Sequence, residues 1–575
     1  MRSFAPYACL CAMFPVVLAV NFDTCLQQVR NGDWGPTGGT DNAGHPVSNI
    51  SEATAITYDL CLVACGASSE PFNWSIFSQQ FSAWLLPYLA LVSQLPFGAN
   101  NRLDNLVSML LTVGSPTLAA YSLALTVLNG AWVAQRFSHL SYPNVRNAVK
   151  ILSSLQQSSF HIITEESLLA SLIVLPENDD WWTELVLWLN YVHTWSISAV
   201  ASILWVIVAY VFTVVDSFEG VVTASTLNAN GQAVGSIFIW LLPIVVGWLQ
   251  ISPKCDYDRV HQAMQRANVI AHVATEDGKS TLASNISNRR AIALQKGGGD
   301  IHSDERCTAP IFNYARFLPW TLAVETVYYA FREADEKSDS RQPVDLRAKW
   351  EKRDRNEIHP ANRRGSLSQV AAYVEPTIHP AAGYAQNRSR WGPGVVSRFL
   401  LAALFSLALT WGTVGAAVLV AFYTPTKGIA CRSGSYLIYG FLSTFVWMIM
   451  VASSVLAHYS TFTISFKGRY AHTKSTRLAG IFSIILRKTG KFLASVNAVW
   501  IVLACLFQFG SFYDRCWCNS SVFYLGKNAY NVIDVGPADV EALNAPWIAG
   551  VGLASGCAIL FLGFINILMN PALPD

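Results

Sequence analysis

Glu177, Asp179 and Asp180 stand beside Trp181 and Trp182, and Glu184, Trp188, Tyr191, His193 and Trp195 follow closely. Carboxylic acids partly desolvated by indoles hold their protons to higher pH and can donate them. Indole faces also attract cations. Together these groups suit an acid-initiated terpenoid cyclisation, a reaction on an apolar, lipid-like substrate that must be kept dry. Asp216 and Glu219 would supply further acids if the helix ends converge. The default reading of the same stretch is an interfacial belt, with Trp and Tyr at headgroup level and the acids in water.

Other catalytic signatures are absent from the sequence. It has no P-loop, GxSxG, HExxH or Rossmann fingerprint. Lys296-Gly-Gly-Gly-Asp300 reads as a flexible loop, so no cofactor is expected. Cys25, Cys61, Cys65, Cys431, Cys516 and Cys518 fall on segments expected to be luminal. Six is an even number and the compartment is oxidising, so disulfides are expected. Their pairing stays open; one bridge from Cys431 to Cys516 or Cys518 would clip two loops together. No metal site is expected, because no luminal His cluster completes a tetrahedral set. Sequons stand at Asn49, Asn73 and Asn519, and Asn49 is the better-placed acceptor. Ser366 follows Arg363-Arg364-Gly365, an arrangement suited to a basophilic kinase; a phosphate there would pair with the arginines.

The elements that must hold these residues are set by composition. Hydrophobic residues make up 52% of the 575 residues and charged residues 13%, with a net charge of +2. A soluble domain carries about 25% charge, so the chain is expected to be an all-α integral membrane protein. The near-neutral balance gives no case for nucleic acid. The bilayer is the expected partner, and Gly552-x3-Gly556 would also permit homo-oligomer contacts. Residues 252–398 hold 39 of the 76 charges. Within them, Phe331–Gly365 has 18 charges in 35 residues and reads as a solvated helix or disordered linker.

A span needs about 20 apolar residues. Such stretches lie near 77–97, 105–128, 196–218, 233–251, 398–422, 434–458, 490–510 and 546–568. The segment 459–492 is basic and free of acids, which makes it cytosolic by the positive-inside rule. The organisation expected is a signal peptide (1–20), a luminal Cys-containing segment (21–75) and a membrane region (77–251). A cytosolic charged loop (252–397), four further membrane helices (398–568) and a cytosolic tail (569–575) follow. Eight spans then conflict with parity, because a luminal N-terminus and four spans would put the charged loop outside. Pro87, Pro96 and Pro116 make the first two segments suspect, or else 164–192 dips into the membrane. Seven spans is the alternative count. Amphipathic spacing also predicts helices over Asn147–Gln157, Tyr257–Ala274 and Ile311–Ala330. The first lies on the membrane surface or packs as an ordinary helix.

Gln94-Leu-Pro-Phe-Gly-Ala-Asn-Asn-Arg-Leu-Asp-Asn, Leu111-Thr-Val-Gly-Ser-Pro-Thr-Leu-Ala-Ala-Tyr-Ser-Leu123 and Leu175-Pro-Glu-Asn-Asp-Asp-Trp-Trp182 resemble a group of polytopic membrane proteins of filamentous fungi. The resemblance is strongest over 77–250. It implies a fungal membrane protein of the secretory pathway or plasma membrane and brings no functional residues with it. Three functions remain in view: a scaffold or sensor, a membrane-embedded enzyme, and a channel or facilitator. The four C-terminal spans carry no ionisable residue in their interiors, which argues against an ion-coupled carrier.

Overall fold

The computed structural model describes residues 20–98, 102–191, 195–219, 222–294, 300–352, 358–375, 391–462, 464–466 and 469–574. The expected signal peptide, apart from Val20, lies outside these residues. So do His193 and residues 296–299 of the glycine loop.

The N-terminal segment forms a small module. Helix α1 (Phe22–Arg30) is capped by Asn21, whose Oδ1 accepts from the Thr24 amide. Helix α2 (Tyr58–Ala64) follows. Strand Ala55–Thr57 pairs antiparallel with Gly39–Thr40 on one side and with the distant Tyr530–Val532 on the other. The module is therefore completed by the loop between the last two long helices. This end of the molecule is called the disulfide end.

The helical bundle begins with α3 (Trp74–Gln80), a π turn (Phe81–Leu85) and α4 (Leu86–Val92). Helices α5 (Arg102–Gly114) and α6 (Pro116–Phe137) are separated by Ser115. The chain then makes an excursion with α7 (Val145–Ser154), α8 (Leu168–Val174) and α9 (Asp179–Leu189). It returns as α10 (Ile197–Glu219), α11 (Val222–Phe238) and α12 (Leu241–Ile251). A second excursion carries α13 (Tyr257–Val269), α14 (Asn313–Asp339) and α15 (Leu367–Tyr373). The bundle closes with α16 (Val395–Tyr423), α17 (Cys431–Ser460) and α18 (Lys474–Phe509). Short α19 (Cys516–Asn519) and α20 (Val522–Leu525) precede α21 (Pro537–Leu568).

Among the described residues, seven helical stretches are long and apolar enough to cross a membrane: Pro116–Phe137, Ile197–Val215, Asn230–Ile251 and the four long C-terminal helices. The architecture is that of an all-α membrane protein, with seven such helices instead of the eight counted from apolar stretches. The run 77–97 falls out: it is helical over 74–92 with a π turn at 81–85, and Ser78, Gln79, Gln80 and Ser82 dilute its apolar character. The run 105–128 is divided, since Pro116 lacks an N–H and starts a new helix.

Contacts show how deep that division lies. The Ser115 hydroxyl donates to the Ser443 carbonyl at 2.7 Å, and Thr117 Oγ1 donates to Thr410 Oγ1 at 3.2 Å. Thr410 is about 22 Å along α16 and Ser443 about 18 Å along α17, at 1.5 Å per residue. The turn thus reaches the middle of the bundle. A Cβ on Gly114 would lie 1.9 Å from the Ala494 carbonyl oxygen, so only glycine permits this approach to α18. Before α5, the Gly98 carbonyl accepts from Thr308 at 3.1 Å; at the far end of α6, Arg136 meets Glu325 at 2.9 Å. Both partners belong to the second excursion. Helices α5 and α6 therefore enter and leave the bundle at the same end, opposite the disulfides.

The two excursions share one apolar core. Phe137, Val149, Leu152, Trp181, Trp182, Val324 and Phe331 are all buried in it. Strand Phe160–Ile162 of the first pairs antiparallel with Ile292–Leu294 of the second. The described residues of 164–191 accordingly pack in this second core and not in the helical bundle. Helix α7 buries its apolar face in this core, the packed-helix alternative. The charge-rich stretch is structured where described, at 331–352 and 358–365. Its charges find partners: Asp335 accepts from Ser141, and Lys337 donates to three backbone carbonyls.

Candidate functional site

The acid–aromatic stretch is built by a turn at Pro176 that leads into α9, where acids in the first turn complement the helix dipole. Arg363 grips Asp179 with both terminal nitrogens, at 2.8 and 2.7 Å. Asn144 donates to the same carboxylate at 2.6 Å. The Arg363 side chain is only 4% exposed and also donates to the Val174 and Leu175 carbonyls. Beside it, burial pushes the Tyr142 phenol up to about 12. Arg364 pairs with Glu177 at 2.7 Å. Asp180 is exposed to solvent.

The indoles serve the core. Trp181 and Trp182 are 0% and 1% exposed, with Trp182 edge-on to Phe331 at 5.5 Å between centroids. Their N–H groups donate to Asn268 and to the Leu172 carbonyl. Asn178 ties the turn to the second excursion by exchanging hydrogen bonds with the His272 backbone. These tryptophans are thus not interfacial. Exposed Trp195, next to the 90% exposed Ile197, is the one placed where α10 begins, and exposed Trp188 donates to Glu184 within α9. Asp216 lies 19 residues, about 28 Å, along α10 from its first turn. The side chains of Asp216 and Glu219 lie outside the described residues.

At the disulfide end three bridges form: Cys25–Cys65, Cys61–Cys516 and Cys431–Cys518. The second links residues 455 positions apart and fastens the N-terminal module to the last loop. The sulfurs of Cys61, Cys65 and Cys516 lie within 4.8 Å of one another, but each is in a disulfide and has no thiolate to offer a metal. Arg432 reaches Asp514, Gln508 and Asn519. Burial, with Asp514 and Asp23 nearby, pushes the Glu70 carboxyl up to about 7.

The modification candidates differ in access. Asn49 is exposed at the start of a short turn. Asn73 is exposed as the cap of α3. Asn519 is half-buried under Arg432. Ser366 caps α15 in a reciprocal capping box with Gln369 and is half-buried.

Sequence reasoning missed the buried cations. Arg363 was visible only as part of a kinase-type motif. Arg398, at the base of α16, donates to Asn129 at 2.6 Å and lies 3.9 Å from the Trp132 ring centroid. An arginine at the mouth of an apolar helix was its only sequence signal. No family model, curated protein or solved structure matches this chain.

Proposed function

We propose that the protein is a multi-pass membrane scaffold or sensor without catalysis of its own, holding a disulfide-bonded module on the luminal or extracellular side and a two-part domain in the cytosol. Sidedness follows from charge and redox chemistry: disulfides persist in oxidising compartments, and the acid-free basic segment 459–492 favours the opposite face. If the helical run 74–92 crosses and α5–α6 re-enters, seven crossings remain. That odd number puts the termini on opposite sides and removes the parity conflict.

The observation that carries the functional reading is internal bonding of the groups that would do chemistry. Asp179 and Glu177 are bound by Arg363 and Arg364. Ser115, Thr117, Thr410 and Ser443, at mid-bundle, bond to one another. Two of the three clustered acids are thus tied to arginines, leaving exposed Asp180 as the acid to test, and among the described residues the mid-bundle hydroxyls satisfy one another.

A deletion strain compared with its parent for metabolites, and purified protein in proteoliposomes assayed for ion and solute flux, test the reading. Unchanged metabolites and no flux are expected. A metabolite lost on deletion and again in Asp180→Asn would establish the enzyme alternative; flux in proteoliposomes would establish the channel.

A further inference from the structure

A polar cavity of about 120 Å³ lies where the bundle meets the two-part domain. One water needs only about 10–15 Å³, so the space admits a larger polar group. Its apolar edge is Ile251, the last residue of α12, and Met569, the residue after α21. Both helices end there, which sets the cavity at the depth of lipid headgroups on the cytosolic side proposed above. Ser153, Ser154, Gln156 and Lys254 supply polar lining.

Two observations point to an occupant. Gln156 is 5% exposed, and its side-chain Oε1 has no hydrogen-bond partner among the described residues. A buried amide oxygen is ordinarily satisfied by protein or by a bound group. The surroundings are also positive. Lys254 donates to the Tyr191 carbonyl and lies 4.8 Å from that ring's centroid. Arg316, behind the wall, donates to the Gln156 carbonyl and to other neutral oxygens from Gln157, Cys307, Ala309 and Asn313. Among the described residues, neither cation meets a carboxylate at ion-pair distance.

We propose that this cavity binds the hydroxylated phosphate headgroup of an anionic phospholipid, with phosphate oxygens facing Lys254 and the serine hydroxyls and a headgroup O–H donating to Gln156 Oε1. Ile251 and Met569 give the acyl chains an apolar exit along α12 and α21. The site depends on the membrane placement and not on the scaffold reading, so either can fail alone.

The test is thermal unfolding of the purified full-length protein in detergent with phosphatidylinositol, phosphatidylcholine or free inositol 1-phosphate. Phosphatidylinositol is expected to raise the midpoint by a few degrees and phosphatidylcholine to leave it unchanged. Gln156→Leu and the Ser153→Ala/Ser154→Ala pair should each remove the shift. The serine pair carries the test if the buried Gln156 variant does not fold. Equal shifts from both lipids, no shift, or a shift kept in the variants overturns the site. The same shift from free inositol 1-phosphate overturns the lipid source and assigns the cavity to a soluble phosphate.

Discussion

The two ends of the molecule are held by different forces. At the disulfide end, the sheet has strands of two or three residues and the apolar cluster is small, centred on Phe22, Leu26, Val29 and Ile56. Three covalent bridges make up for that thin core, as in small secreted modules. At the opposite end, two chain segments separated by two candidate membrane spans build a large core and seal it with the buried Arg363. Each solution suits a compartment. Disulfides would be lost in a reducing cytosol, whereas an apolar core needs no oxidant.

That contrast can be broken from either side. The largest effect is expected from Trp182→Ala, because removing a fully buried large aromatic costs about 3–5 kcal/mol. Limited trypsin digestion should then cut within 138–190 and 257–375 while the disulfide end stays resistant. The Cys61→Ser/Cys516→Ser pair should have the converse outcome. Loss of a native disulfide costs about 2–5 kcal/mol, and proteolysis should free residues 20–70 with the other end intact.

Arg363→Met should be milder, about 2–3 kcal/mol, because it leaves the buried Val174 carbonyl without this donor and Asp179 without its charge partner, while Leu175 keeps the Asn178 amide. Asp179 contributes less than a buried acid would, being 43% exposed. Glu177→Gln should be nearly neutral, since its partner Arg364 is 60% exposed. Chemical unfolding followed by tryptophan fluorescence would rank these two variants.

A pH dependence is also expected at the disulfide end. Glu70 titrates at about 7 in the folded chain, against an ordinary value of 4.5. Between those values the folded state binds more protons than the unfolded one, so stability falls as pH rises from 4.5 to 7. Below 4.5 both states are protonated and the penalty vanishes; above 7 it is complete. Protease resistance of the module should be greater at pH 5 than at pH 7.5, and Glu70→Gln should flatten the profile.

How much of this was legible depended on the range of the interaction. The amphipathic spacing of Val149, Ile151, Leu152 and Leu155 marked a helix whose apolar face is indeed buried. The six cysteines were identifiable as disulfide formers, but Cys61 finds its partner 455 residues away, and no local pattern encodes that. The tandem Trp181-Trp182 was compatible with a headgroup belt or a core. Phe331, far along the chain, decides for the core. Likewise Arg363 looked like a kinase determinant until its bidentate pair with Asp179 was in place.

Composition and hydropathy by themselves determined an all-α membrane protein, because apolar stretches of this length must satisfy their backbone groups internally. The sequence also marked a charged segment apart from the membrane and a set of cysteines suited to an oxidising side. Only the tertiary structure decided that α5 and α6 turn at mid-bundle, that the excursions fold as one domain, and which cysteines pair. The reason is physical: a span is a property of about 20 neighbouring residues, whereas a shared core, an ion pair and a disulfide require distant segments to meet.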